Sequence, residues 1–199
     1  NHMILNIVIS TGAVTSVAGS TSSGSTDATG TAARFNGPRG MTTDGTNLYV
    51  TDRNNNTIRK IVISTGAVTT LAGSTSYGSI DGTGTSAKFY YPEGITTDGT
   101  NLYLADSNNH VIRKIVISTG AVTTLAGYAG SYGSTDGTGT SARFKYPSGI
   151  TIVGTNLYVS DQSNNTIRKI VIATGEVTTF AGSGSWGSAN GTGTAASFN

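Results

Sequence analysis

Apolar positions in this chain fall into short β-rich runs set between turn-forming clusters, and the pattern recurs along its whole length. In one copy the runs cover 94–97, 101–105, 111–117 and 121–126. Between them stand Asp98-Gly99, Ser107-Asn108-Asn109 and Ser118-Thr119-Gly120, residues that favour tight reversals and join neighbouring strands as hairpins. Four antiparallel strands per copy follow. The third run ends in Ile115-Val116-Ile117, matched by Ile61-Val62-Ile63 and Ile170-Val171-Ile172. A strand wet on one face alternates apolar with polar, so a continuous apolar trio predicts sheets covered on both faces. Sheets stacked face to face around an axis meet that demand; an open solenoid of stacked hairpins is the competing arrangement.

The period is long and regular. Phe35, Phe89, Phe144 and Phe198 recur at spacings of 54, 55 and 54 residues, and 30 of the 39 residues from Phe35 to Gly73 are identical in the stretch from Phe89 to Gly127. The copies divide the chain into a partial unit at 1–34, whole units at 35–88, 89–143 and 144–197, and the start of another at 198–199. Ile4 aligns with Ile58, Ile7 with Ile61 and Gly19 with Gly73, so the partial unit begins at a third strand. Fourteen strands are expected, too few to close a ring of four or more sheets. Pairing of two chains, membership of a longer ring, natural or engineered, and open end-to-end stacking would each cover the terminal sheets. Pairing, as a homodimer or higher oligomer, is the favoured expectation.

The repeated F-x-x-P-x-G-I-x-x-D-G-x-N-L-Y-x-x-D-x-x-N-x-x-I-R-K-I, followed by V-T-T-L-A-G, resembles the NHL repeat in its long bacterial form, with an inserted G-S-T-D-G-T-G-T-S-A-R-F loop. The resemblance covers essentially the whole chain. It implies an all-β fold, a β-propeller of four-stranded antiparallel blades, with about three and a half blades in this chain. It does not imply one activity, because such blades occur in proteins that bind protein, bind RNA or catalyse.

Composition narrows the possibilities. Charged residues make up only 11% of the chain, so its surface must be coated largely with hydroxyls and amides, and a formal charge of +2 lacks the density of a nucleic-acid-binding protein. Cysteine is absent, which removes disulfides and thiolate metal sites. No apolar stretch is long enough to span a membrane as a helix. These features predict a soluble protein without a membrane partner, and they leave the extracellular and periplasmic compartments of a bacterium open.

Candidate chemistry recurs with the repeat. Asp52, Asp106 and Asp161 stand beside amide side chains, but a single Asp per unit cannot converge with its counterparts on one ion, and turn capping is the expected role. Asp44 and Asp98 fit Asp-Gly turns, with Val153 at the third position. The pairs Arg59-Lys60, Arg113-Lys114 and Arg168-Lys169 form a recurrent basic set that could follow a phosphate backbone; solvated pairing with Asp52, Asp106 and Asp161 is the expectation preferred over RNA binding. Tyr49, Tyr103 and Tyr158 lie within the second strand and are expected in the core. The long loop after the fourth strand carries Ser23, Tyr77, Tyr132 and Trp186 at equivalent positions, then Asp27, Asp81, Asp136 and Asn190. An aromatic ring beside acid, amide and hydroxyl groups suits a sugar or peptide ligand; burial of the rings under their own loops is the competing expectation. Tyr77, Asp81, Tyr132, Asp136, Trp186 and Asn190 are therefore the candidate binding residues. The Gly-Thr-Gly-Thr pieces lack the Lys-Ser/Thr and strand-to-helix setting of a phosphate loop. With no Cys and only an isolated His110 in a turn, no catalytic set, metal site or cofactor is expected. His2, in a leading Asn1-His2-Met3 that resembles a cloning remnant, carries no functional weight.

Overall fold

The computed structural model describes all of residues 1–199, and strands dominate it. The first sheet pairs β1 (His2–Ile7) with β2 (Val14–Ser20). The second runs β3 (Pro38–Thr43), β4 (Asn47–Asp52), β5 (Thr57–Val62) and β6 (Ala67–Gly73) as a simple meander. A two-residue β7 (Gly82–Thr83) precedes the third meander, β8 (Pro92–Thr97), β9 (Asn101–Asp106), β10 (Val111–Val116) and β11 (Ala121–Ala126). The fourth repeats this arrangement with β12 (Gly137–Thr138), β13 (Pro147–Val153), β14 (Asn156–Asp161), β15 (Thr166–Val171) and β16 (Glu176–Ala181). Every pairing within these sheets is antiparallel.

The core lies between sheets. Tyr49, Ile58 and Ala72 of the second sheet interleave with Phe89, Leu102, Leu104 and Ile115 of the next unit, and Tyr103, Ile112 and Ala126 meet Phe144, Leu157 and Ile170 one step further on. This is face-to-face blade packing. The inner strands touch so closely that a Cβ on Gly40 would strike the Glu93 carbonyl, and one on Gly94 the Ser148 carbonyl, which explains the glycine in P-x-G. The apolar trio departs from its expected burial. Ile61, Ile115 and Ile170 are buried, but Val62, Val116 and Val171 are half-buried and end their strands, leaving the last isoleucine in the turn.

Two devices join one unit to the next. The loop after each fourth strand crosses to the following sheet, where β7 pairs with β11, β12 with β16, and Thr29 bridges Ala67, covering edge backbone that would otherwise stay open. An arginine then grips that loop. Arg113 is fully buried; its Nη1 donates to Asp106 Oδ2 at 2.9 Å and the Lys88 carbonyl at 3.1 Å, and its Nη2 to Asp81 Oδ1 at 2.8 Å and the Ile80 carbonyl at 2.9 Å. Arg59 and Arg168 repeat the clasp with Asp52 and Asp27, and with Asp161 and Asp136. Beside each of these arginines the fourth strand carries one extra residue, Leu71, Leu125 or Phe180, as a β-bulge, while the arginine's own strand stays in regular register with the second. The guanidinium carbons lie 5.0–5.1 Å from the ring centres of Phe35, Phe89 and Phe144, so the repeated Phe also packs the clasp. Burial pushes the Asp106 carboxyl up to about 6, against the lowering by Arg113, Asn109 and the Tyr90 N–H, so it is ionised at neutral pH.

A smaller clip closes each junction at one rim. Asn56 and His110 sit in the left-handed region with φ of 55° and 61°, at the end of short 3₁₀ turns over Arg53–Asn55 and Ser107–Asn109. Asn56 Oδ1 accepts the Tyr91 N–H at 3.0 Å, and His110 Nδ1 accepts the Tyr146 N–H at 3.1 Å. A ring nitrogen can accept only when it carries no proton. Burial, and secondarily Lys145, holds the His110 pKa below its ordinary 6.5.

Replacing Arg113 by Ala leaves Asp106 buried without its counter-charge and should cost about 3–5 kcal/mol in urea denaturation, while Lys114→Ala should stay within about 0.5 kcal/mol. Because the folded-state pKa of His110 is depressed, its stabilising contribution is complete above about pH 6.5 and is lost as pH falls through the folded value. The denaturation midpoint of the wild type should therefore drop relative to His110→Asn, which carries the amide already used at Asn56, on going from about pH 7.5 to about pH 5.5. Taking the difference between the two proteins removes the opposite drift contributed by Asp106.

Candidate functional site

The long loops are held rigidly at their bases. Asp81 accepts the Arg113 guanidinium together with the Thr124 N–H at 3.1 Å and the Thr124 hydroxyl at 3.0 Å; Asp136 does the same with Arg168 and Thr179. Burial works against it, but these hydrogen bonds hold the Asp136 carboxyl below the usual range. Asp81 and Asp136, expected as ligand contacts, are thus anchors of the loop although about half of each side chain stays exposed, whereas the likewise exposed Asn190 replaces the carboxylate in the last loop.

Above the anchors the rings point outward. Tyr77, Tyr132 and Trp186 are 68%, 64% and 74% exposed, so they do not cover the underside of their own loops. Each precedes a glycine whose N–H donates to the carbonyl of the next repeated Phe, at 3.0 Å for Gly78, 3.2 Å for Gly133 and 3.0 Å for Gly187. The carbonyls of Gly78 and Gly133 accept the side-chain amides of Asn109 and Asn164, in the turns between the second and third strands. Tyr77 and Tyr132 consequently stand on the rim formed by these turns, and Trp186 holds the equivalent place in the last loop.

Partners on that rim come from distant parts of the chain. Tyr77 stacks on Tyr90 at 4.7 Å and Tyr90 on Tyr91 at 5.1 Å. The Arg53 guanidinium lies 4.3 Å over Tyr91 and its Nε is 2.5 Å from Glu93 Oε1. At the next junction His110 contacts the edges of Tyr132 and Tyr146, with centroids 5.5 and 4.6 Å apart, and Lys145 Nζ is 5.5 Å from the Tyr132 ring. Trp186 donates its indole N–H to Asn199 Oδ1. Tyr90, Tyr91, Lys145, Tyr146 and Arg53 were missing from the sequence expectation, in which His110 stood only as an isolated turn residue. Their signal was internal variation: Asn36-Gly37, Tyr90-Tyr91 and Lys145-Tyr146 follow the invariant Phe, yet differ from copy to copy.

The other candidate groups are committed elsewhere. Arg59, Arg113 and Arg168 are paired with the expected aspartates, but in the interior; the solvated pairing expected for them is corrected by their complete burial under the loop of the preceding unit. Only Lys60, Lys114 and Lys169 of the basic set remain half-buried at the sheet surface, opposite Tyr49, Tyr103 and Tyr158. The oxygens of Asp106 serve the Tyr90 N–H, Asn109 and Arg113, with the same pattern at Asp52 and Asp161. Asp44 and Asp98 cap their own turns and accept the hydroxyls of Tyr49 and Tyr103 at 2.7 and 2.9 Å. Burial raises Asp98, but hydrogen bonds led by Asn101 outweigh it and bring the carboxyl down to about 2; burial and Asp44 push Tyr49 up to about 12. Where Val153 replaces the acid, Tyr158 is only half-buried and packs edge-on against Phe180. The chemistry left exposed on the rim is therefore flat aromatic surface with amides, hydroxyls and a few cations. No helix is long and apolar enough to cross a membrane.

No protein-family model matches the chain. NHL repeat-containing protein 2 of Homo sapiens is 35% identical over 138 residues, 64% of this chain and 19% of that protein. Among solved structures, a protein of unknown function from Bacteroides thetaiotaomicron is 28% identical with a TM-score of 0.70, over 85% of this chain and 42% of that one. An auxiliary nutrient binding protein from Bacteroides ovatus superposes with a TM-score of 0.68 at 20% identity, over 98% of this chain and 51% of that one. Virginiamycin B lyase from Staphylococcus aureus does so at 0.57 and 21%, over 90% and 48%. The chain thus spans about a fifth of the human relative and about half or less of these structures. At such identity the last two show the fold alone, a fold shared by a binding protein and a lyase. With its repeated motif, its four-stranded antiparallel sheets packed face to face and its NHL-containing relative, the chain belongs to the NHL-repeat family of β-propeller proteins.

Proposed function

We propose that this chain is a non-enzymatic binding scaffold that takes a protein or glycan partner on the rim carrying Tyr77, Tyr132 and Trp186. The observation that carries this reading is the placement of large exposed rings on a rigid base, at positions that vary between copies whose framework is nearly invariant. Rigid aromatics offer contact area at little entropic cost and dominate binding surfaces. His110 is a poor general base here, since its Nδ1 is engaged by Tyr146 and the ring is 6% exposed.

Self-association is the second part of the proposal, and a pair of substitutions favours it. Leu5 occupies the position of Arg59, Arg113 and Arg168, while Asn190 occupies that of Asp27, Asp81 and Asp136. Joining the last loop of one copy to β1 of another sets Leu5 against Asn190, so no buried guanidinium or carboxylate is stranded. Exposed Ile7 and Val14 on one terminal sheet, and Val153 and Phe180 on the other, supply the apolar area.

Screening the chain against glycan and protein arrays should yield a ligand whose affinity falls by at least about tenfold in the triple variant Tyr77→Ala, Tyr132→Ala, Trp186→Ala, and is unchanged in Lys114→Ala. Equal binding by the triple variant would remove the rim from the proposal. Light scattering on a gel-filtration column should report a dimer or larger; a folded monomer at all concentrations contradicts self-association.

A further inference from the structure

We infer that the rim's ligand is a neutral carbohydrate chain, with sugar rings stacked on Tyr77, Tyr132 and Trp186; this rests on the binding reading above and commits it to one ligand class. A pyranose presents a flat C–H face bordered by hydroxyls. It needs an exposed aromatic face with neutral hydrogen-bonding groups at the ring's edge. Each junction supplies that pair: Tyr77-Gly78-Ser79, Tyr132-Gly133-Ser134 and Trp186-Gly187-Ser188 place an exposed ring two residues before an exposed hydroxyl. The indole N–H and the Asn199 amide add further neutral groups beside the most exposed ring.

Charge argues against the other classes. A polyanion tracking the row would need a free cation recurring with each ring. Of the cations that recur, Arg59, Arg113 and Arg168 are buried, Lys60, Lys114 and Lys169 lie on the sheet opposite the repeated tyrosines, and Lys88 and Arg143, beside Gly78 and Gly133, give way to Ser197 beside Gly187, so no cation accompanies every ring. Beside the rings, Arg53 is engaged by Glu93, Lys145 lies at Tyr132, and the loop 183–188 around Trp186 carries no charge. One ring per unit further implies a ligand long enough to reach several units, so that affinity grows by multivalency. The first junction, where Ser23 replaces the ring, is a natural blank.

The test is isothermal titration calorimetry and affinity electrophoresis of the full chain against soluble xyloglucan, mixed-linkage β-glucan and galactomannan, with polygalacturonate, poly(U) and a casein digest as the competing classes. At least one neutral polysaccharide should bind, insensitive to added salt; Trp186→Ala should weaken it about tenfold with an unchanged melting curve, and Ser23→Tyr should strengthen it. Ring-dependent binding of polygalacturonate, poly(U) or peptides without any neutral polysaccharide would overturn the carbohydrate assignment and leave the binding rim standing. Absence of binding to every probe overturns the carbohydrate assignment; if array ligands are also indifferent to the triple variant, the rim reading falls with it.

Discussion

A buried guanidinium shared between two units is the interaction on which the rest of the structure depends. Arg113 belongs to one sheet, but three of its four hydrogen-bond partners, Asp81 and the carbonyls of Ile80 and Lys88, arrive on the loop of the preceding unit. Taken out of water without them, the cation would be worth several kcal/mol against folding. A unit therefore reaches its low-energy state only when its neighbour's loop is docked in register. That coupling turns a string of hairpins into a cooperative stack, and it accounts for a repeat whose length hardly varies.

The clasp also separates framework from rim. Asp, Arg, Phe and the P-x-G glycine are each tied to several partners, so a change at any one strands a charge, opens a cavity or drives two backbones together. The residues at 77, 90, 91 and 132, and their equivalents, meet mostly solvent or one another. Chemistry can vary there without disturbing the stack. The left-handed clip position shows how much freedom remains: Asn56 and His110 make the same hydrogen bond to the next unit, yet only the imidazole gives it up on protonation. A single framework can thus carry junctions that differ in shape and in response to pH.

The fold alone does not distinguish a binding protein from a lyase, since both share it at about a fifth identity. Surface chemistry does the distinguishing. On this chain Asp52, Asp106 and Asp161 are turned inward to hold backbone and arginine, and the aromatic rings that face outward on the rim have largely neutral surroundings.

Strands, turns and the sheet-against-sheet packing were legible in the chain by itself, because alternation, Asp-Gly and Asn-rich turns, and β-branched runs act over a few residues, and the 54-residue period showed which stretches must look alike. The expected runs at 101–105 and 121–126 match β9 and β11 to within a residue. What tertiary structure alone decided was what meets the arginines and what surrounds the rings. Alternation puts Arg59, Arg113 and Arg168 on the face of the buried Ile61, Ile115 and Ile170, but only the docked loop of the preceding unit brings the carboxylate that lets a charge stay in the interior. The contact of His110 with Tyr146, 36 residues away, depends on how one blade is seated against the next. Local backbone preference sets the elements; burial and charge pairing across the junctions set the site.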